Sequence, residues 1–435
     1  MKMPFLTCPL SIMLRYFKLC LFGASVILLQ SCGGSSSAPT TASNIVSVPS
    51  WTAVWATAQH VDGPELSEQS IRMVVRLSQG GKSLRVRLGN RLGTTPLQVG
   101  QVTVAPTTSG PAIDAAGLRS VTFDGQQTAS VPAGGDLWSD PVNLPTMAQQ
   151  QIAVSVYVRG TALPSAHTGA FRTNYLTPAG AGDATRDASG SAFNGTTTAF
   201  LVVNAVDVKN SSLPGAVVVI GGSVVDGIGS EKTGIMGAGP AAPVDSRWSD
   251  VLARRIVDEL PIRQQYSVVQ AGISGNTAAP ECALNPPPYG NVQDRLDADV
   301  FSLSDVRYVI LYAGTNDIGI GTGCTVEQIL AAYDNIVLRA RAHGARVIVS
   351  TITPRASYTP LQNSDRQYIN SVILADARNG GGRFDAVVDF DTAMKWSAYP
   401  NAIDPALDSG DSIHPNAEGY AAMAHSIDLR LLSAK

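Results

Sequence analysis

The chain has 435 residues, of which 44% are hydrophobic and 15% charged, and its net charge is -3. That apolar content excludes a disordered chain, and a near-neutral balance without a basic block argues against a nucleic-acid partner. The length suits two or three domains.

Residues 1–31 read as an export signal outside the fold. Lys2, Arg15 and Lys18 make a positive leader, and Leu19 to Leu29 is an apolar run too short to span a bilayer. Leu29-Gln30-Ser31-Cys32, followed by Gly33 and Gly34, resembles a bacterial lipobox, although Gln30 is untypical of one. Cys32 is therefore expected to be the lipidated first residue of an outer-membrane lipoprotein, with a periplasmic or secreted protein as the alternative. That lipid would be the protein's one membrane contact. Residues 32–50 are rich in Ser, Thr and Ala and read as a flexible tether.

Residues 51–213 have a period of two. Leu84, Val86 and Leu88 alternate with Arg85 and Arg87; Ile152, Val154, Val156 and Val158 alternate with Ala153, Ser155 and Tyr157. Further strands are predicted at Ile71–Leu77, Val102–Val104, Val121–Phe123 and Ala199–Val206. Gly80-Gly81, Asp124-Gly125 and Pro132-Ala133-Gly134-Gly135 supply turns. Many short strands between such turns predict an N-terminal β-sandwich domain.

From residue 214 to 435 the pattern changes. Ala216–Ile220, Ser267–Gln270, Tyr308–Tyr312, Val347–Ser350 and Ala386–Phe390 are almost continuously apolar, as parallel strands covered on both faces are. Helices are predicted between them at Asp250–Leu260, Val326–His343 and Ser364–Arg378, with Ala417–Leu432 last. Thr325 and Gln328 form a capping-box pattern, and Gly344 is placed to end that helix. The fold class is α/β: a three-layer α/β/α domain on a five-stranded parallel sheet. Ligands of such sheets bind at the carboxyl ends of the strands.

The segments after those ends carry chemistry. Gly221-Gly222-Ser223 follows the first strand, Ala271-Gly272-Ile273-Ser274-Gly275-Asn276 the second, and Ala313-Gly314-Thr315-Asn316-Asp317 the third. Asp411-Ser412-Ile413-His414-Pro415 precedes the final helix. A serine is a weak nucleophile and needs a base in hydrogen-bond reach; the base needs an acceptor to hold its tautomer, and the tetrahedral oxyanion needs donors aimed at it. Of the five histidines, only His414 lies beside a strand-end turn.

In combination, these four blocks resemble those of the SGNH (GDSL-type) hydrolases, from about Pro214 to the carboxyl end. The resemblance implies a flavodoxin-like catalytic domain and a serine esterase acting on short-chain acyl or acetyl esters, with no cofactor. Ser223 would be the nucleophile, Asp411 and His414 the acid and base, and Ser223, Gly272 and Asn316 the oxyanion donors. The whole chain, from Trp51-Thr52-Ala53-Val54-Trp55-Ala56 on, is similar to exported bacterial SGNH esterases, some associated with polysaccharide degradation. That implies a small-molecule or oligosaccharide ester as substrate. One residue departs from the pattern: Gly222 stands where the family usually has Asp. The literal Gly410-Asp411-Ser412 string follows no strand and is a decoy.

A zinc hydrolase is disfavoured, because no His-x-x-x-His or His-x-His pair occurs. The α/β-hydrolase elbow Gly-x-Ser-x-Gly is missing too. The alternative reading is a glycan-binding surface lipoprotein with a weakened hydrolase domain, its sugars stacked on Trp51, Trp55 or Trp138. Cys282 and Cys324 follow neighbouring blocks on loops leaving one sheet edge, and a disulfide between them is expected in an oxidising compartment.

Overall fold

The computed structural model describes residues 51–282, 289–319 and 324–432. The signal and tether, Cys32 included, lie outside these residues.

Residues 51–209 form antiparallel sheets. One runs Trp51–Ala56, Val203–Lys209, Leu84–Asn90, Gly135–Trp138 in spatial order; a larger one is built around Leu66–Arg76, Gln151–Ala162 and Leu97–Pro106. Leu84, Val86, Val206 and Val208 of the first meet Ile71, Met73, Val102, Val154 and Val156 of the second in one sealed core. This is the sandwich that the alternation predicts. The polar residues of the alternation do not all face water. Arg87 is buried, and donates to Asn204 Oδ1 and Ser302 Oγ, both at 2.8 Å. Arg85 reaches Asp207 Oδ2 at 2.9 Å and Ser304 Oγ at 3.0 Å.

Ser302 and Ser304 belong to the α/β region, so the outer face of the first sheet is a seam. Ala53 and Ala205 share a core with Val269, Leu303 and Val309 across it, and Ala53 N donates to Ser304 O at 3.1 Å. The two regions form one compact unit.

The second region is a five-stranded parallel sheet: β1 (Ala216–Gly221), β2 (Ser267–Gly272), β3 (Val306–Tyr312), β4 (Arg346–Ser350) and β5 (Ala386–Val388), in the spatial order β2-β1-β3-β4-β5. The chain enters the sheet near its centre and reverses direction after β2, which opens a crevice at the carboxyl ends of β1, β2 and β3. Helix α1 (Ser223–Asp226) is one turn. Helices α2 (Trp248–Glu259) and α5 (Ala417–Ser426) cover one face through Trp248, Leu252, Ile256, Tyr420 and Met423. Helices α3 (Val326–Ala342) and α4 (Pro360–Arg378) cover the other through Ile329, Tyr333, Ile336, Ile369 and Ile373. The α3 capping box is formed as its residues suggest: Gln328 N donates to Thr325 Oγ1 at 3.3 Å, and Thr325 N to Gln328 Oε1 at 2.8 Å.

Two elements end earlier than the apolar runs predict. Strand β5 stops at Val388 because the Asp389 side chain accepts Thr392 N at 3.1 Å and starts a short helix, Phe390–Met394. Helix α5 stops at Ser426, Ile427 is extended, and a 3₁₀ turn takes Leu429–Leu432.

Candidate active site

Ser223 sits where β1 turns into α1. Gly221 must be glycine, since a Cβ there would lie 1.8 Å from Tyr312 O on β3. Gly222 is the extended N-cap of α1, and Gly227, at φ 105°, closes the turn after Asp226. Ser223 is 9% exposed. Its backbone N–H heads the helix and has no hydrogen-bond partner among the described residues, as first-turn amides generally lack one.

The loop before α5 brings the other two side chains. His414 Nε2 lies 2.8 Å from Ser223 Oγ, and His414 Nδ1 lies 2.7 Å from Asp411 Oδ2. The other carboxylate oxygen, Oδ1, accepts Ile413 N at 2.9 Å and His414 N at 2.8 Å. The same side chain therefore shapes the turn and orients the ring. Partial burial alone would raise the pKa of Asp411, but the His414 side chain and backbone hydrogen bonds outweigh it. They hold the carboxyl well below the usual carboxylate range. Ser412 lies on this turn at φ 62°, its amide donating to Asp408 Oδ1. Both nitrogens of His414 are engaged by Ser223 and Asp411, so this base does not serve Ser412.

Asn316 is half-buried in the helical turn Thr315–Gly319 after β3. Its Nδ2 donates one hydrogen to Asn276 O at 2.9 Å, and lies 2.8 Å from where a Cβ on Gly222 would be. The second hydrogen of that NH₂ is left for another acceptor beside Ser223. Asp317 turns inward: Oδ1 accepts Ala278 N at 2.9 Å and Ala279 N at 3.0 Å, and Oδ2 accepts Gly314 N at 3.1 Å. Burial pushes this carboxyl up, against those hydrogen bonds.

Gly272 does not take the place expected of it, and the structure corrects that assignment. It is the last residue of β2, and the following amide, Ile273 N, donates to Gly221 O at 3.0 Å. Amides alternate sides along a strand, so the Gly272 N–H points away from β1 and Ser223. Gly272 is needed for packing, because a Cβ there would lie 2.3 Å from Asp226 N. The suitable amide is three residues on. Gly275 is exposed, at φ 81°, with open space over its α-carbon. The amides on either side are taken: Ser274 N donates to Asp226 Oδ2 and Asn276 N to Ile273 O. The Gly275 N–H has no partner among the described residues.

The second miss is Asp226. This buried carboxylate accepts Ser274 N at 3.0 Å and Ser274 Oγ at 2.6 Å, and lies 3.0 Å from Nε2 of His167 in the β-rich region. Neither residue stands out in the sequence. Cys282 and Cys324 are joined by a disulfide as expected, with Cα atoms 5.3 Å apart. Trp51 and Trp138 are half-buried with Arg85 over both rings, at 4.9 and 4.2 Å, and Trp55 packs edge-on to Phe200.

Residues 219–422 match the GDSL-like Lipase/Acylhydrolase family. They are a GDSL-like acylhydrolase domain. The match runs from the last residues of β1 through Ser223 and Asn316 to the Asp411–His414 turn, and no curated protein matches the chain. Among solved structures, the chain is similar to a family two carbohydrate esterase from Clostridium thermocellum, determined with cellohexaose. The identity is 16% over 83% of this chain and 92% of that one, with a TM-score of 0.38. It is also similar to a carbohydrate acetylesterase from Sinorhizobium meliloti, at 18% identity over 48% and 94% and a TM-score of 0.36. The aryl esterase of M. smegmatis stands at 17% identity over 48% and 94%, with a TM-score of 0.36. The assignment of the GDSL-like domain rests on the 219–422 match.

Proposed function

We propose that this GDSL-like hydrolase is a serine esterase that cleaves carboxylic esters through an acyl-enzyme. The observation that carries the reading is the unbroken chain Asp411–His414–Ser223, with contacts of 2.7 and 2.8 Å at the head of a helix. Ser223 Oγ attacks the ester carbonyl carbon while His414 Nε2 takes its proton, and Asp411 holds Nδ1–H and stabilises the imidazolium. The carbonyl oxygen becomes an oxyanion facing the N–H groups of Ser223 and Gly275 and the free hydrogen of Asn316 Nδ2. Collapse breaks the bond to the alcohol oxygen, which leaves with the proton held by His414. Water, deprotonated by the same nitrogen, then releases the acid and restores Ser223.

Short-chain acyl or acetyl esters of a bulky alcohol, acetylated oligosaccharide among them, fit this site. The Asp411 side chain is 40% exposed and Gly275 is open, so the rim is not closed over the alcohol side. A cleft of about 620 Å³, lined by Asp226, Ser274, Phe171, Thr198 and Glu231 but not by Ser223, His414 or Asn316, lies beside this site; sites for small ligands usually fall between about 300 and 1,000 Å³. The enzyme would be exported and tethered through lipid on Cys32. A Cys32→Ser variant is then expected to leave the detergent-soluble membrane fraction, and unchanged fractionation would refute the tether. The esterase reading is tested by turnover of aryl esters and acetylated oligosaccharides by the purified mature protein. Release of acid is expected, and binding of glycan without any release would favour the inert-lipoprotein reading instead.

A further inference from the structure

The β-rich region contributes a buried histidine to the floor of the active site. His167 ends the strand Ser165–His167 and is 1% exposed. Its Nδ1 faces Ala58 O at 2.8 Å, and a carbonyl can only accept, so Nδ1 carries a proton. Its Nε2 faces Asp226 Oδ1 at 3.0 Å. Burial alone would raise the Asp226 carboxyl, but the charge and hydrogen bond of His167, with Ser274, bring it below its ordinary value. The carboxylate also only accepts, so the hydrogen bonds are complete when both ring nitrogens are protonated. His60, edge-on to His167 at 4.9 Å, is driven down to about 4 by burial and then by that neighbouring charge, and stays neutral. The seam is shaped around this carboxylate: a Cβ on Gly169 would lie 2.5 Å from Asp226 Oδ1.

The other oxygen of Asp226 holds Ser274 twice, through N and Oγ. Ser274 directly precedes Gly275, and Asp226 lies in the same helical turn as Ser223. One carboxylate thus fastens the loop that carries the Gly275 amide to the helix that carries the nucleophile. A buried carboxylate needs compensating partners to remain ionised, and His167 of the other region and the Arg247 guanidinium, whose Nε donates to Asp226 O at 2.6 Å, both favour the ionised form.

We propose that His167 is a positioning residue of the active site, which through Asp226 and Ser274 fixes the Gly275 amide relative to Ser223. The β-rich region is then a working part of the catalytic centre. This rests on the esterase reading for its kinetic consequence, but not for its structural one.

The test uses His167→Gln, Ser274→Ala and their double variant in the full mature protein. Gln can donate to Asp226 or to Ala58 O, but brings no charge. Ser274→Ala removes one hydroxyl from a partly exposed site and guards against misfolding of the first variant. With sites counted by organophosphonate titration, each single variant is expected to lower kcat per titrated site about tenfold, with KM within about threefold. That is less than the 10²–10³ seen when an oxyanion donor is removed outright. The double variant should fall no further than the worse single one, since both cut one link. Ser274→Thr, which keeps the hydroxyl, should recover most of the loss. Hydrogen exchange should accelerate over residues 273–276 in both single variants, and this readout does not depend on turnover. Wild-type kcat per titrated site with only a lowered Tm, or unchanged exchange at 273–276, would overturn the proposal. A wild-type protein that neither titrates nor turns over, yet shows the expected exchange, would remove the esterase reading and leave the positioning link standing.

Discussion

Gly222→Ala adds one methyl group beside the nucleophile and should harm catalysis more than stability. The added Cβ would lie 2.8 Å from Asn316 Nδ2 and 3.2 Å from Asn276 O. Non-bonded heavy atoms settle near 3.5 Å, so the amide must retreat by about 0.7 Å. Asn316 cannot simply rotate away, because its Nδ2 also donates to Asn276 O at 2.9 Å. A misplacement of about 1 Å at a reacting centre can cost about 10²-fold. A retreat of 0.7 Å should therefore lower kcat about tenfold or more, or about 1.4 kcal/mol of transition-state stabilisation. KM should change little, since the donor is needed chiefly once the oxyanion forms. The assay is steady-state hydrolysis of a chromogenic acetyl ester, with thermal melting in parallel. An unchanged or raised kcat would refute the reasoning, and would mean that the Asp usual at this position can be restored without disturbing Asn316.

Three further outcomes follow from the same geometry. Asp411→Asn should cost about 10³–10⁴ in kcat, the scale known for a triad carboxylate. Its single oxygen can serve the Ile413 and His414 amides only by turning NH₂ toward His414 Nδ1, which leaves the proton on Nε2; a loss under tenfold in single-turnover kinetics would contradict this. Asp411 is depressed in the folded state, so its contribution to stability is present above about pH 4 and is lost as pH falls through the lower folded value. Urea titrations from pH 6 downward should show that slope, and Asp411→Asn should flatten it; identical slopes in the two proteins would be the contrary result. Replacing Cys282 and Cys324 with Ser opens a loop with a sequence separation of 42, worth about 4 kcal/mol in the chain-entropy model. The urea midpoint should fall accordingly, and two alkylated cysteines without reductant would show that no bridge had formed.

The α/β half was legible because its strands are buried on both faces and leave continuous apolar runs. The ends of β1 to β4 fall within two residues of those runs, three of the polar blocks stand where a run stops, and the fourth directly precedes the last helix. Strand β5 was overread because Asp389 and Phe390 continue the pattern until a side-chain cap turns the chain into a helix. Choosing between Gly272 and Gly275 requires the register of β2 on β1, which decides which amide faces Ser223, and composition carries no record of it. The His167–Asp226 link was invisible for a similar reason. It joins residues 59 apart in sequence, from a three-residue strand too short to show alternation and a one-turn helix. Arg85 and Arg87 look like the wet face of a strand in sequence, and only the seam shows that they are covered.

The central claim is that Ser223, and not the serine of the Gly410-Asp411-Ser412 string, forms the covalent intermediate. Intact-mass and peptide mapping after treatment with a fluorophosphonate tests it most directly. A single adduct is expected on the peptide containing Ser223, absent in Ser223→Ala and retained in Ser412→Ala, because only Ser223 Oγ lies 2.8 Å from His414 Nε2. An adduct that survives Ser223→Ala and disappears in Ser412→Ala would contradict the account.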